Sequence, residues 1–242
     1  MIEITIPVLN EEKSLNSQII KLRDWLFAHV GTAESWSIMI ADNGSTDQTR
    51  ILSEKLCQQY SDLKYIRLDA KGVGLALQTS WLQSSSEIIG YMDLDFATQL
   101  EHLNEVIKAL DQGYDMVYAT RLHPKSNVQG RTIKREMVSR CFNLLLRWYL
   151  KVSFSDGMCG FKFLKREKFK ALYLKGARSH GWFFSTELLI VAEKLKFKIF
   201  ELPVTWKDSK ESHVNIIPLT IQYLKAMWKM KHTDFNKASD KS

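Results

Sequence analysis

A chain of 242 residues is long enough for one well-packed core, and its 45% hydrophobic and 25% charged content is ordinary for a globular protein. No apolar run approaches the ~20 residues of a bilayer-spanning helix, the first residues read directly as a strand rather than a leader, and Cys57, Cys141 and Cys159 are too few and too scattered for a disulfide framework or a zinc site, which fits a reducing cytosol. The net charge of +7 is unevenly spread and points to an anionic partner: phosphate, a membrane surface or nucleic acid.

In chain order, Ile2–Val8 alternates with β-branched residues and reads as a strand, and 10–14 as a polar turn. Leu15, Ile19, Leu22 and Leu26 have helical spacing within Leu15–His29. A strand over Trp36–Ala41 ends in Asp42-Asn43-Gly44-Ser45-Thr46-Asp47, and a helix is expected over Thr49–Tyr60. A third strand, Lys64–Leu68, leads through Lys71-Gly72-Val73-Gly74 into a helix running through Trp81. The fourth, Glu87–Met92, ends at Asp93-Leu94-Asp95; a helix over Leu100–Gln112 and a strand over Met116–Thr120 follow. This alternation predicts an α/β fold, a mostly parallel sheet flanked by helices, whose ligands bind beyond the carboxyl ends of the strands. Asn10-Glu11, Asp42, Lys71-Gly72 and Asp93/Asp95 all fall at such ends.

Beyond residue 120 the pattern changes. Between Arg121 and Lys151 stand eight basic residues and one acid, Glu136, a local surplus equal to that of the whole chain. Thr132–Lys151 reads as a long helix with Val138, Cys141, Phe142, Leu145 and Tyr149 on one stripe and Arg131, Arg135 and Ser139 on another face. Strands are expected at Phe161–Leu164 and Lys198–Trp206, and a helix at Glu187–Leu195. An amphipathic helix over Pro218–Lys231 carries Trp228, and it either buries its apolar side or lies on a bilayer.

Two carboxylates straddling one residue, Asp93 and Asp95, can present oxygens to Mg²⁺ or Mn²⁺, which would bridge them to a diphosphate. The glycines at 72 and 74 match neither a dinucleotide fingerprint nor a P-loop.

The ordered segments Ile6-Pro7-Val8-Leu9-Asn10-Glu11, Asp42 to Asp47, Lys71 to Gly74 and Met92 to Asp95 resemble glycosyltransferase family 2, with its GT-A fold. Downstream, Thr120-Arg121, Lys134-Arg135 with Ser139, Ser155-Asp156 to Cys159-Gly160-Phe161-Lys162, Gly181 to Leu189 and Glu201 to Trp206 resemble the polyprenyl (dolichyl) phosphate sugar synthases, the glucosyl branch more than the mannosyl. The resemblance implies a GT-A domain over 1–214, with a nucleotide-sugar half (1–120) and an acceptor half (121–214), followed by an amphipathic helix and polar tail over 215–242. It implies Pro7, Asn10, Glu11, Asp42, Lys71, Gly72 and Asp93 at the nucleotide sugar, with Lys71 and its glycines allowing close approach to base and ribose. Asp93 and Asp95 would hold the metal, and Asp93, Asp95 and Arg121 would be catalytic. Arg121, Arg131, Lys134, Arg135 and Ser139 would take the acceptor phosphate, with Asp156, Trp182 and Glu187 in the acceptor or sugar pocket. The implied reaction is inverting transfer from a nucleotide sugar (UDP-glucose, then GDP-mannose) to polyprenyl phosphate, by an enzyme peripheral at the cytoplasmic membrane face. A hydroxyl acceptor would instead need a general base, Asp156 or Glu187. A catalytically silent nucleotide-sugar-binding protein is a further alternative; no nucleic-acid module is recognisable. Departures from the family pattern are Ala97, where relatives offer a polar residue to the metal, Ser185 in place of Asp, and Ser212-His213 in place of a basic residue that Lys207 or Lys210 would replace.

Overall fold

Alternation makes β1 (Ile2–Val8) two-faced: Ile2, Ile4, Ile6 and Val8 enter one apolar layer, while Glu3 and Thr5 point to the other side. There Thr5 bonds Ser80 at 2.8 Å and accepts from the Trp81 indole at 3.2 Å, and Glu3 pairs with Lys64 at 2.8 Å. The structure, a computed structural model, describes residues 1–32, 34–208, 216–233 and 235, with side chains of the last helix described from residue 220. Lys210 and Ser212-His213 lie outside the described residues.

After β1 come α1 (Leu15–His29), β2 (Trp36–Asp42), α2 (Thr49–Gln59), β3 (Leu63–Arg67), α3 (Val73–Gln83), β4 (Ile88–Met92), α4 (His102–Asp111) and β5 (Met116–Thr120). The later part adds β6 (Asn127–Gln129), α5 (Ile133–Leu150), β7 (Phe161–Lys165), α6 (Arg166–Leu174), α7 (Phe184–Lys194), β8 (Ile199–Pro203), β9 (Thr205–Lys207) and α8 (Ile216–Lys231). Seven strands form one sheet in the order β3-β2-β1-β4-β7-β5-β8, and β6 pairs with β9. Only β7 runs against its neighbours. Its register sets Phe163 opposite Gly90, where an added Cβ would lie 2.0 Å from the Phe163 ring, so the ring needs the glycine. Because β7 and β8 complete the sheet begun by β1–β5, the change of character near residue 120 is not a boundary between separate cores.

One face of the sheet is covered by α1, α2 and α4, the other by α3, α6 and α7 with α5 and α8. Thr132 caps α5 by accepting from the Arg135 amide, and Lys151, left-handed at φ 54°, ends it. The expected stripe of α5 is not its buried face. Ser139, Asn143, Leu146 and Leu150 turn inward, Phe142, Leu145 and Tyr149 are half-buried, and Val138 and Cys141 are exposed. Polar residues are tolerated inside because the amide of Asn143 is used, accepting from Gly157 N at 2.8 Å and donating to Ser139 O at 3.0 Å. The strand expected over Lys198–Trp206 is two, β8 and β9, interrupted at Val204. On its inner side α8 buries Tyr223, Met227 and Met230. Among the described residues no helix is long and apolar enough to cross a membrane.

Candidate active site

The carboxyl ends of β1, β2, β3, β4, β5 and β8 share one edge, and β7, running the other way, brings the loop before it to the same edge: Met92 pairs with Phe161. The site is therefore assembled from the segments after β1, β2, β3, β4 and β5 together with 155–160.

At the β1–β3 end, two loops are laced by side chains. Asn10, held at φ 57°, accepts from the Thr46 amide at 2.8 Å while its own amide donates to Ser45 Oγ at 2.9 Å. The Glu11 amide donates to Thr49 Oγ1 at 2.8 Å. Pro7 is half-buried in β1 opposite Ala41. Asp42 is fully buried, accepting from Ser45 N (2.7 Å), the Tyr65 hydroxyl (2.8 Å) and Arg67 (3.3 Å). Burial and this carboxylate push the Tyr65 hydroxyl up to about 12. Asp42 thus organises this end of the sheet edge with both oxygens engaged.

Lys71 is exposed beside Gly72, whose amide donates to Asn43 Oδ1 at 3.3 Å. The glycines here allow a close approach of the chain to itself. A Cβ at Gly72 would lie 2.4 Å from His180 O, and one at Gly74 2.1 Å from Ser179 O, so what comes close is the chain's own 178–183 segment. That segment is pinned by Glu187, which accepts from the Arg178 amide (2.9 Å), the Ser179 amide (2.8 Å) and the Ser179 hydroxyl. Burial raises the Glu187 carboxyl above its ordinary range against those donors. Glu187 and the half-exposed Trp182 therefore stand beside the start of α3.

At the centre, Asp95 is exposed and accepts from the Ala97 amide at 3.0 Å, while the carboxylate of Asp93 has no hydrogen bond among the described residues. Burial and the charge of Asp95 push Asp93 up to about 7, against the pull of Arg121 and Lys162. Gly160 packs directly on it. Thr98 Oγ1 and Trp206 Nε1, both buried and without a partner among the described residues, line the recess beside Asp93 with Phe96 and Ala97. A carboxylate whose proton affinity is raised by burial and by the neighbouring charge of Asp95 fits a divalent cation, which would offset both. Ala97 is buried and offers no third ligand, and no group of three or more His, Cys, Asp or Glu suited to a metal occurs among the described residues.

Toward β5, Arg121 is gripped by Asp156: Nε donates at 2.7 Å, Nη2 at 3.0 Å and the backbone amide at 3.2 Å, with the guanidinium 4.9 Å from the Trp206 ring. Burial alone would raise Asp156, but Arg121 outweighs it and holds the carboxyl at about 2. Asp156 is thus the counter-ion and brace of Arg121. Arg135 pairs with Asp208 at 2.6 Å and Arg131 with Glu136 at 3.0 Å; Lys134 is exposed. Burial, then the neighbouring charge of Arg121, lowers the Arg131 guanidinium, so these two cations feel each other. Ser139 Oγ is buried on the same helix as Arg135, with no partner among the described residues.

Lys162 carries weight that its place in the Cys-Gly-Phe-Lys segment did not reveal. Fully buried in β7, it donates to Gly157 O (3.2 Å), Cys159 O (2.7 Å) and Ser185 Oγ (2.6 Å), and Tyr91 donates to the same Ser185 at 2.6 Å. Burial pulls its ammonium down to about 8. The signal available in sequence was a lysine alternating with Phe161 and Phe163 in a strand with both faces covered.

The family model for "Glycosyl transferase family 2" matches residues 3–173. The chain belongs to this family. It is a glycosyltransferase with the GT-A fold. It is 28% identical over 235 residues to glycosyltransferase AglD of Haloferax volcanii, covering 95% of this chain but spanning only 37% of that relative's length. It is 26% identical to the dolichyl-phosphate beta-glucosyltransferase of Mus musculus, over 96% of this chain and 78% of the other. Among solved structures, glucosyl-3-phosphoglycerate synthase from Mycobacterium tuberculosis, in complex with UDP, matches with a TM-score of 0.68 at 19% identity, covering 97% of this chain and 81% of that one.

Proposed function

We infer that this glycosyltransferase moves glucose from UDP-glucose to a polyprenyl phosphate, with inversion and with a divalent cation, Mg²⁺ or Mn²⁺, at the cytoplasmic face of a membrane. The observation that carries the reading is the facing of two opposite charge systems across one sheet edge. The carboxylates Asp93 and Asp95 lie on one side, and Arg121, braced by Asp156, lies within electrostatic reach of Asp93 on the other. The names of the relatives support the acceptor class and the glucosyl donor, and several solved neighbours were obtained with Mn²⁺ and UDP-glucose.

A phosphate monoester has its second pKa near ~6, so at neutral pH its oxygen attacks without a base. The two base candidates point the same way. Asp156 is ion-paired at about 2, and Glu187 is committed to three donors. Arg121, with Arg131, Lys134, Arg135 and the unpartnered Ser139 hydroxyl, orients the phosphate. Its oxygen forms the new bond to the anomeric carbon as the bond to the UDP oxygen breaks on the opposite side, and UDP departs as an anion. A cation held by Asp93 and Asp95 would supply neutralisation of that leaving charge. Pro7, Asn10, Glu11, Asp42, Lys71 and Gly72 frame the nucleoside end, and Trp182 stands where it would border the sugar.

The test is transfer of labelled sugar from UDP-glucose, GDP-mannose and UDP-N-acetylglucosamine to polyprenyl phosphate, with 3-phosphoglycerate as a competing acceptor and Asp95→Ala as control. Metal-dependent product from UDP-glucose, lost in the variant, is expected. Product only on the small acid would reject the lipid acceptor. Donor binding without product on any acceptor would favour a silent binding protein.

A further inference from the structure

The outer side of α5 carries an apolar stripe that no described residue covers. Ile133, Met137, Leu144 and Trp148 recur at helical spacing, with Ile133 80% and Trp148 75% exposed, while the opposite side buries Ser139, Asn143, Leu146 and Leu150. On α8, Ile221, Leu224 and Trp228 are exposed opposite the buried Tyr223, Met227 and Met230. The two helices lie side by side and run in the same direction. Phe142 packs on Tyr223 with ring centroids 5.3 Å apart, and seven residues further along α5 the Lys231 ammonium donates to Tyr149 O at 2.8 Å. Both bury their inner sides in the same apolar cluster, so both outer stripes face away from it together.

The border of this face is basic. Arg140 and Arg147 stand along one edge on α5, Lys134 and Lys151 near its ends, and Lys225 and Lys229 along the far edge on α8; the one acid of α5, Glu136, is already paired with Arg131 and Arg140. A second copy of the chain would set these cations against one another. An anionic bilayer would take the apolar stripes at headgroup depth and the cations at its surface. Two exposed tryptophans on such a face suit the boundary between headgroups and acyl chains.

We propose that α5 and α8 together form the surface by which this enzyme lies on an anionic membrane. The proposal rests on the lipid-acceptor reading and adds to it the face that docks. Its position also explains how a lipid phosphate would arrive: Arg131 and Arg135 stand at the start of α5, next to the membrane-facing stripe, so the headgroup enters the site while its chains stay in the bilayer.

The experiment is co-sedimentation of the full chain with phosphatidylcholine vesicles with and without phosphatidylserine, in the absence of donor and acceptor. The wild type should bind the anionic vesicles more tightly, and weaken as salt rises. The double variant Trp148→Glu, Trp228→Glu should lose at least tenfold in partitioning while keeping its thermal midpoint, since both side chains are exposed. Lys225→Gln with Lys229→Gln should lose roughly fivefold per residue on anionic vesicles only. Equal binding by the tryptophan variant, no binding by the wild type, or a concentration-dependent dimer abolished by Trp148→Glu would each overturn the proposal. Transfer to a short-chain, water-soluble isoprenyl phosphate should be unchanged in the tryptophan variant. Absence of that transfer in the wild type would count against the reaction assigned above and leave the vesicle result standing.

Discussion

Gly160→Ala puts the geometry of the proposed metal site at risk with a single methyl group. A Cβ at this position would sit 2.0 Å from Asp93 Oδ2, 2.6 Å from its Cγ and 2.8 Å from Oδ1, all far inside the ~3.5 Å of an ordinary non-bonded contact. Gly160 is fixed by the strand that follows, where Phe161 pairs with Met92, so the carboxylate must yield. Overpacking of this kind costs about 1–3 kcal/mol, which for a chain of this size lowers the thermal midpoint by about 2–12 °C. The larger effect falls on the reaction. Displacing a positioning group by ~1 Å costs on the order of 10²-fold in rate, equivalent to about 2.7 kcal/mol of activation free energy. Turnover at saturating donor should therefore fall about a hundredfold, and the cation concentration giving half-maximal rate should rise. Stopped-time assays over a Mn²⁺ series, alongside thermal unfolding of the same preparation, separate the two terms. A variant with wild-type turnover and wild-type metal dependence would refute the placement of Asp93 as a cation ligand held in shape by Gly160.

Asp156→Asn removes the counter-ion of the buried Arg121 and should cost about 3–5 kcal/mol, with the acceptor KM rising more than the donor KM. The same pair sets acid stability. The Asp156 carboxyl is lower in the folded chain, at about 2, than its ordinary 3.8, so it stabilises above pH ~4, on the order of 2 kcal/mol, and that contribution is lost as pH falls toward 2; urea midpoints across this range should drop less steeply in the variant. Glu187→Gln turns an amide group toward the Arg178 and Ser179 donors and should cost about 1–3 kcal/mol. Hydrogen exchange should then quicken at the Leu75 amide, which donates to His180 O, and unchanged exchange there would show that Glu187 does not pin the 178–183 segment.

Much of the first half was legible because each strand and helix there is regular over its own length. Ile2–Val8, Leu15–His29 and Met116–Thr120 have the limits the pattern predicts, and the others differ by one or two residues. What was missed lacks a local signal. In α6 only Phe169 and Leu172 are buried among Arg166, Glu167, Lys168 and Lys170, and β6 is three residues, mostly exposed, that pair only because β9 passes by. The reversed direction of β7 is a property of the chain's path, and no residue within Phe161–Lys165 encodes it. Yet that reversal delivers Asp156 and Gly160 to the site, so the candidate site was less legible than the fold.

The basic window shows why charge read along a chain misjudges what a ligand meets. Arg121 finds its partner 35 residues away in Asp156 and Arg135 finds its partner 73 residues away in Asp208, so two of the cations expected to be free for phosphate are spoken for by carboxylates that no local pattern links to them. Pairing need not disqualify them. A guanidinium held bidentately by a buried carboxylate is fixed in direction, keeps its charge, and loses less freedom when a phosphate joins it. Among the described residues, Lys134 and Arg147 on α5 and Lys151 at its end, like Lys125 before it, form no ion pair and are exposed. One run of positive charge is thus divided by the fold into two kinds: arginines braced by distant carboxylates, as the proposed phosphate site requires, and a solvated border, as the proposed membrane face requires.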